Sequence, residues 1–262
     1  SLPGVRDAEG YTFMGWSTKP MQSVSPQYEA EEKITVNGNV DLYAVVFNRT
    51  TETDLTEDQL PQVDIYKYKQ VIFVGDSRTE FMENVLTGMG ESATKNVKFV
   101  CSAGKGLDWF TTTGWAQLYS IVQHDSNSIL SKKTAVIFNF GVNDLSKSAD
   151  YAEYYNWIAP QLKSKGCELY FMSVNPVNRL MLPNAGRADR SEAAVRSFNQ
   201  YMKANLSSAY TYIDMYSYLK STGYSFASDH YGTGTVDDGL HYTTRTYKRI
   251  FAKCMDSLRV PA

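Results

Sequence analysis

The sequence predicts an α/β fold built on a parallel sheet, preceded by a small β-rich module. Two observations carry the first part. After Lys69, short apolar runs alternate with stretches of helical spacing, the pattern of βαβ units. The first of those runs, Val71-Ile-Phe-Val-Gly75, breaks at a glycine and delivers Asp76-Ser77 to the start of a helical pattern, as a buried strand ending in a tight turn would. A third observation carries the module: residues 1–48 hold short alternating β-formers around Asn37-Gly38, a dipeptide suited to a hairpin turn in which both central residues take positive φ.

Composition bounds the function. The chain has 262 residues, enough for one large domain or a medium one with a companion, with 43% hydrophobic and 21% charged residues and a formal net charge of −2. That balance lacks the basic excess of a nucleic-acid binder, so no polyanion partner is expected. No apolar stretch approaches the ~18 residues of a membrane helix, and no signal-peptide succession opens the chain. The start at Ser1 instead of a methionine reads as a processed or excised fragment, so export stays open. Cys101, Cys167 and Cys254 are odd in number and far apart, which reads as buried free thiols without a disulfide framework or zinc site.

Taken in order, residues 1–48 form the β module, with strands expected around 10–18 and 34–46. Residues 49–69, rich in threonine and acidic side chains without a repeating apolar face, read as a weakly ordered linker, and residues 70–262 as the main domain. There, strands are predicted at 71–75, 97–101, 134–140, 168–174 and 210–214, and helices near 78–88, 113–123, 151–165, 189–206 and 243–257. In the fourth helix Ala194, Phe198, Tyr201, Met202 and Asn205 keep the spacing of a docking face, with Arg190 on another face.

Ser77 has two readings. It lies at a strand's carboxyl end, where open α/β sheets bind ligands, but Ser77 with Glu80 also fits a capping box that would merely satisfy the helix N-terminus. Three further segments fall after strands or before the last helix: Cys101-Ser-Ala-Gly104-Lys-Gly106, Gly141-Val-Asn143-Asp144 and Asp238-Gly-Leu-His241. A serine hydroxyl is a poor nucleophile until a base takes its proton, and the base needs a third group to hold its tautomer. Asp-x-x-His in a turn supplies both from one segment, and N–H groups near Ser77 and at a loop glycine, with the Asn143 amide, could receive a developing oxyanion.

In this order, Gly-Asp-Ser77, the glycine after the second strand, Gly141-x-Asn143-Asp144 and Asp238-x-x-His241 resemble the four blocks of the SGNH (GDSL-type) serine hydrolases, over residues 71–257. The resemblance implies a flavodoxin-like three-layer α/β/α fold and no cofactor. It places the nucleophile at Ser77, the general base at His241, its orienting carboxylate at Asp238 and oxyanion donors at Gly104 and Asn143; Gly106 remains an alternative to Gly104. Arg78 stands where the family's eponymous leucine does, and is expected at the pocket rim. Likewise Gly10-Tyr-x-Phe-x-Gly-Trp16 and Val40-x-Leu-Tyr-Ala-Val45 resemble the later part of an internalin-type B repeat of bacterial surface proteins, except that Val46-Phe47 stands where a tryptophan usually closes it.

Trp109, Phe110, Trp115 and the run Asn175-Pro-Val-Asn178 fall on the strand-end side and could meet a sugar, although core burial is the commoner fate of such aromatics. His230 near Asp237 and Asp238 could suggest a metal site but reads better as a turn, and His124 reads as a helix C-terminal cap. The implied activity is hydrolysis of a short acyl ester, acetyl included, on a carbohydrate at a bacterial surface. The alternatives are a non-catalytic carbohydrate-binding module and acyl transfer to a glycan.

Overall fold

The computed structural model describes residues 1–20, 25–65, 67–124, 132–227 and 237–258. Its centre is a five-stranded sheet of β3 (Tyr68–Gly75), β4 (Val97–Cys101), β5 (Lys133–Asn139), β6 (Cys167–Met172) and β7 (Tyr210–Ile213), in the order β4-β3-β5-β6-β7. Every neighbouring pair is parallel. Counted within the sheet this is the 2-1-3-4-5 order of flavodoxin-like folds, whose ligands sit where the winding reverses, here between the carboxyl ends of β3 and β5.

The inner strands β3, β5 and β6 are apolar on both faces because both faces are covered. Val71 and Phe73 of β3 point into one core with Phe81 and Val85 of α1 (Ser77–Met89) and with Ile250 and Phe251 of α8 (Thr244–Ser257). Ile72 and Val74 point into the other, with Leu118 of α4 (Trp115–His124), Tyr155 and Ile158 of α5 (Ser148–Ser164), and Val195 and Phe198 of α6 (Glu192–Asn205). The three-layer α/β/α arrangement follows. Each predicted strand and helix of the main domain is present, with ends shifted by a few residues; the helix near 113–123 is preceded by α3 (Leu107–Trp109) and a π-helical turn, Phe110–Gly114. Helices α2 (Glu91–Thr94) and α7 (Met215–Thr222) complete it.

On α6 the buried face is Val195, Phe198, Asn199 and Met202. Tyr201 is exposed, and Arg190 precedes the helix altogether. The expected docking face was therefore rotated, since Asn199 turns inward to bond both the N–H and the carbonyl of Val174.

In the N-terminal module β1 (Tyr11–Ser17) pairs antiparallel with β2 (Tyr43–Asn48). The hairpin expected at Asn37-Gly38 is not formed: neither residue takes the positive φ that turn demands, and the two strands pair across a long excursion instead. The segment after it is not weakly ordered either. Leu60 and Val63 join the first core, as do Met14, Val45 and Phe47 of the module. Glu52 is buried and accepts from Ser225 Oγ at 2.6 Å, from Arg249 Nη1 at 3.0 Å and from Thr246 Oγ1. Sparse apolar residues and one paired acid suffice because the partner surface lies elsewhere in the chain, beyond the reach of local pattern.

Candidate active site

Strand β3 stops at Gly75, and Asp76 caps α1: its carboxylate accepts the Arg78 N–H at 3.0 Å. Ser77 is the first residue of that helix, so its own N–H is one of the orphan donors of a helix start. The capping box is not made. Glu80 reaches across to the Ala103 N–H at 2.6 Å, and the Ser77 hydroxyl lies 2.9 Å from His241 Nε2.

The Asp-x-x-His turn closes on itself as its spacing suggests. Asp238 Oδ1 accepts the N–H groups of Leu240 at 2.9 Å and His241 at 2.8 Å, while Oδ2 lies 2.6 Å from His241 Nδ1. Ser77, Asp238 and His241 are all buried, and the Phe81 ring lies 4.4 Å from the imidazole, centroid to centroid. Burial pushes the Asp238 carboxyl up, but the His241 bond and the two backbone N–H groups outweigh it, so it lies below the ordinary value. For His241 burial dominates and, with Arg78 and Arg187 adding to it, holds the imidazole below its ordinary value despite Asp238. The ring is thus neutral at pH 7, and the tautomer that bonds Asp238 carries its proton on Nδ1 and turns the Nε2 lone pair to Ser77.

Two loops flank the serine. After β4, Gly104 is exposed at φ +70°, a left-handed conformation that glycine adopts without strain. After β5, Asn143 donates from Nδ2 to the Lys105 carbonyl at 2.8 Å and accepts from Arg190 Nη2 at 2.8 Å on Oδ1. Arg190 also donates to Val142 O at 2.7 Å, so one guanidinium sets which way the amide points. Asp144 ties the loops together, accepting the Leu107 N–H at 3.0 Å and the Tyr151 hydroxyl at 2.7 Å. A Cβ on Gly106 would collide with that carboxylate, whereas one on Gly104 would meet open space. All five predicted site residues therefore fall at the carboxyl edge of the sheet. Ser77, His241 and Asp238 are hydrogen-bonded in series, with Asn143 and Gly104 on the adjoining loops.

Arg78 is not at the rim. It is buried and donates to the carbonyls of Leu240 at 3.0 Å, Asn175 at 2.9 Å and Pro176 at 2.9 Å, stapling the His241 turn to the loop after β6. Phe110 is likewise core, packed against Phe138 and Phe140, and Trp109 leans on Phe140. His230 lies outside the described residues, as does the His124 side chain. Among the described residues no group of three or more His, Cys, Asp or Glu is placed to hold a metal ion. Arg190 and Arg187, the latter 3.1 Å from Asp238 Oδ2, belong to the site without any motif that marks them in the sequence. The one available hint was the arginine-rich stretch 187–190, whose partners lie about fifty residues away in either direction.

Comparison with known proteins bears on the family and the fold. No curated protein matches the chain. Among solved structures, a protein from Slackia heliotrinireducens assigned as an SGNH hydrolase superposes with a TM-score of 0.51 at 12% identity, over 73% of this chain and 100% of its own. An acetyl xylan esterase gives 0.45 at 11% identity, over 73% and 100%, and a psychrotrophic esterase from Pseudoalteromonas sp. gives 0.43 at 11%, over 73% and 97%. At such identities the first of these speaks for the fold alone. Residues 1–45 match the Listeria-Bacteroides repeat domain, in accord with the repeat-like motifs of the β module. The GDSL-like Lipase/Acylhydrolase family matches residues 71–254. Since that match runs through nearly the whole sheet and the loops at its carboxyl edge, the chain belongs to the GDSL-like lipase/acylhydrolase family and is a carboxylic ester hydrolase.

Proposed function

We propose that the protein is a serine esterase acting on short acyl esters, acetyl among them, carried by a carbohydrate, with Ser77 as nucleophile, His241 as general base and Asp238 as its orienter. The observation that carries the reading is the unbroken series from Ser77 Oγ through His241 to Asp238, with contacts of 2.9 and 2.6 Å. In acylation, Ser77 Oγ attacks the ester carbonyl while its proton passes to His241 Nε2. The carbonyl oxygen, now negative, is received by the N–H groups of Ser77 and Gly104 and by the second amide hydrogen of Asn143. Collapse of the tetrahedral adduct breaks the bond to the alcohol oxygen, which takes the proton from His241. Water then repeats the sequence on the acyl-serine and restores the hydroxyl.

Gly104 is preferred to Gly106 as oxyanion donor because Gly104 is exposed in an open loop, whereas Gly106 is crowded by Asp144. The carbohydrate assignment is supported by the polar character of the loops that hold the site, with Asn143 bonded to Arg190 and to the Lys105 carbonyl and with Arg187 on Asp238, surroundings better suited to a sugar ester than to a lipid chain. The repeat domain supports export and display at a bacterial surface, and no helix among the described residues is long and apolar enough to cross a membrane.

The test is a panel of aryl esters graded in chain length together with acylated glycans, each with and without added sugar acceptors. Turnover is expected to be best on acetylated glycans, to fall as the acyl chain lengthens, and to vanish in Ser77→Ala. Full turnover in that variant would overturn the mechanism. Binding of glycans without fluorophosphonate labelling of Ser77 would reveal a binding module, and acyl transfer to sugar in preference to water a transferase.

A further inference from the structure

The loop that carries Asp238 and His241 is held from outside the hydrolase domain. Arg49, at the end of β2, places Nη2 at 2.5 Å from Asp237 Oδ2 and 2.7 Å from Asp7 Oδ2. Its Nε donates to Thr12 Oγ1 of β1 at 2.9 Å, which fixes the guanidinium from the module's side. Asp237 immediately precedes Asp238 and caps its own turn by accepting the Gly239 N–H at 3.1 Å. The Asp7 side chain is shielded from solvent; its other oxygen accepts from the Phe13 N–H at 2.9 Å and from Asn178 Nδ2 at 2.8 Å. Asn178 in turn donates its backbone N–H to the Gly239 carbonyl at 2.8 Å.

A second line of contacts runs in parallel. Arg6 donates to Leu180 O at 2.6 Å and to Asn184 Oδ1 at 2.8 Å, and Asn184 Nδ2 donates to the Asp237 carbonyl at 2.9 Å. The turn between β6 and α6 and the turn bearing Asp238 are thus both gripped by Arg6, Asp7 and Arg49. A spacer would need none of this. Mostly shielded ion pairs with additional hydrogen bonds are the kind that hold geometry, and removing one partner leaves the others buried and uncompensated.

We propose that the N-terminal module, together with the residue that directly follows β2, is a working part of the active site, in which Asp7 and Arg49 are positioning residues that hold the Asp238–His241 turn in register with Ser77. The proposal rests on the reading of Ser77, His241 and Asp238 as the reacting groups. Arg49 touches no substrate; it acts through Asp237, and a shift of the turn by ~1 Å is enough to cost on the order of 10²-fold in rate.

The experiment uses the full chain with Arg49→Met, Arg49→Lys and Asp237→Asn, and the double variant Arg49→Met/Asp237→Asn, each with two readouts. Hydrogen exchange at the Leu240 and His241 amides, both bonded to Asp238, reads the order of the turn without any reference to turnover. Arg49→Met is expected to speed exchange there by roughly tenfold or more while leaving Ile72 and Val136 in the sheet unchanged, the mark of local opening. Steady-state kinetics on an aryl acetate are expected to show kcat lowered by roughly tenfold or more with KM within about twofold, since ground-state contacts are untouched. Partial recovery is expected in Arg49→Lys, and the double variant is expected to lose little more than the worse single one, because both act through one contact.

Unchanged exchange in Arg49→Met would overturn the proposal. So would faster exchange with unchanged kcat, or losses that simply multiply in the double variant. If Arg49→Met does not fold, Asp237→Asn carries the same comparison with the guanidinium intact. Absence of Ser77-dependent turnover in the unaltered protein would instead strike the esterase reading, and the exchange data would still judge the clamp.

Discussion

At the scale of single residues, the proposed mechanism separates groups that react from groups that aim them. Asn143 can offer an amide hydrogen to an oxyanion only while its oxygen faces Arg190, so the guanidinium decides the amide's orientation. Asn143→Ala is expected to lose roughly 10²- to 10³-fold in kcat with little change in KM, the signature of a donor used chiefly in the transition state. As the proposed general base, His241 must be neutral to accept the serine proton, and burial lowers its pKa. The acid limb of kcat/KM should therefore fall below the ordinary histidine value of 6.5. Asp238 pulls that pKa up by stabilising the imidazolium. Asp238→Asn should then move the acid limb lower still while cutting kcat by on the order of 10⁴-fold through loss of the correct tautomer. A pH–rate profile of both proteins checks the direction; an upward shift would contradict it.

Among the elements, what the sequence disclosed and what it concealed divide along a physical line. The inner strands of the main sheet are covered on both faces and read as apolar runs, loops at the strand ends announce themselves by glycine, asparagine and aspartate, and the resemblance to the SGNH hydrolases then singled out Ser77, Gly104, Asn143, Asp238 and His241 among them. Their contacts could not. Arg78 sits in the first turn of α1 like any surface arginine, yet its guanidinium is buried against three carbonyls of two distant loops, a fact no local periodicity encodes. The turn at Asn37-Gly38 carried the right residues for a tight hairpin, but the pairing of β1 with β2 across the intervening chain prevailed over that local preference. Because Arg78 satisfies those carbonyls in a buried site, Arg78→Leu should destabilise by at least about 3 kcal/mol, since each abandoned polar group costs about 1–3 kcal/mol. Chemical denaturation measures it. A loss under about 1 kcal/mol would mean that the loops relax and find other donors.

For the whole molecule, the question is whether the repeat domain and the hydrolase domain unfold separately. Tandem surface modules joined by a flexible linker would. Here Met14, Val45 and Phe47 of the module, and Leu60 and Val63 of the segment after it, lie in the same core as α1, α8 and one face of the sheet. Glu52 is pinned to Thr246 and Arg249 on α8 from the opposite end of the sequence. Once apolar side chains from both parts share one interior, neither can open without exposing the other's surface, so a single cooperative transition is expected. Phe47 is buried on β2, with its ring against Gly223 beside α7, and Phe47→Ala removes a large side chain from this shared interior. It should cost about 3–5 kcal/mol and lower the midpoint of the entire transition. Two probes decide the matter: tryptophan fluorescence, to which Trp16 in β1 contributes, and far-ultraviolet circular dichroism, dominated by the helices around the sheet. If their transitions coincide in the unaltered protein and shift together in Phe47→Ala, the repeat domain is bound thermodynamically to the enzyme whose Asp238–His241 turn it touches. If the fluorescence transition alone moves, the two parts fold independently and their shared core contributes little to either.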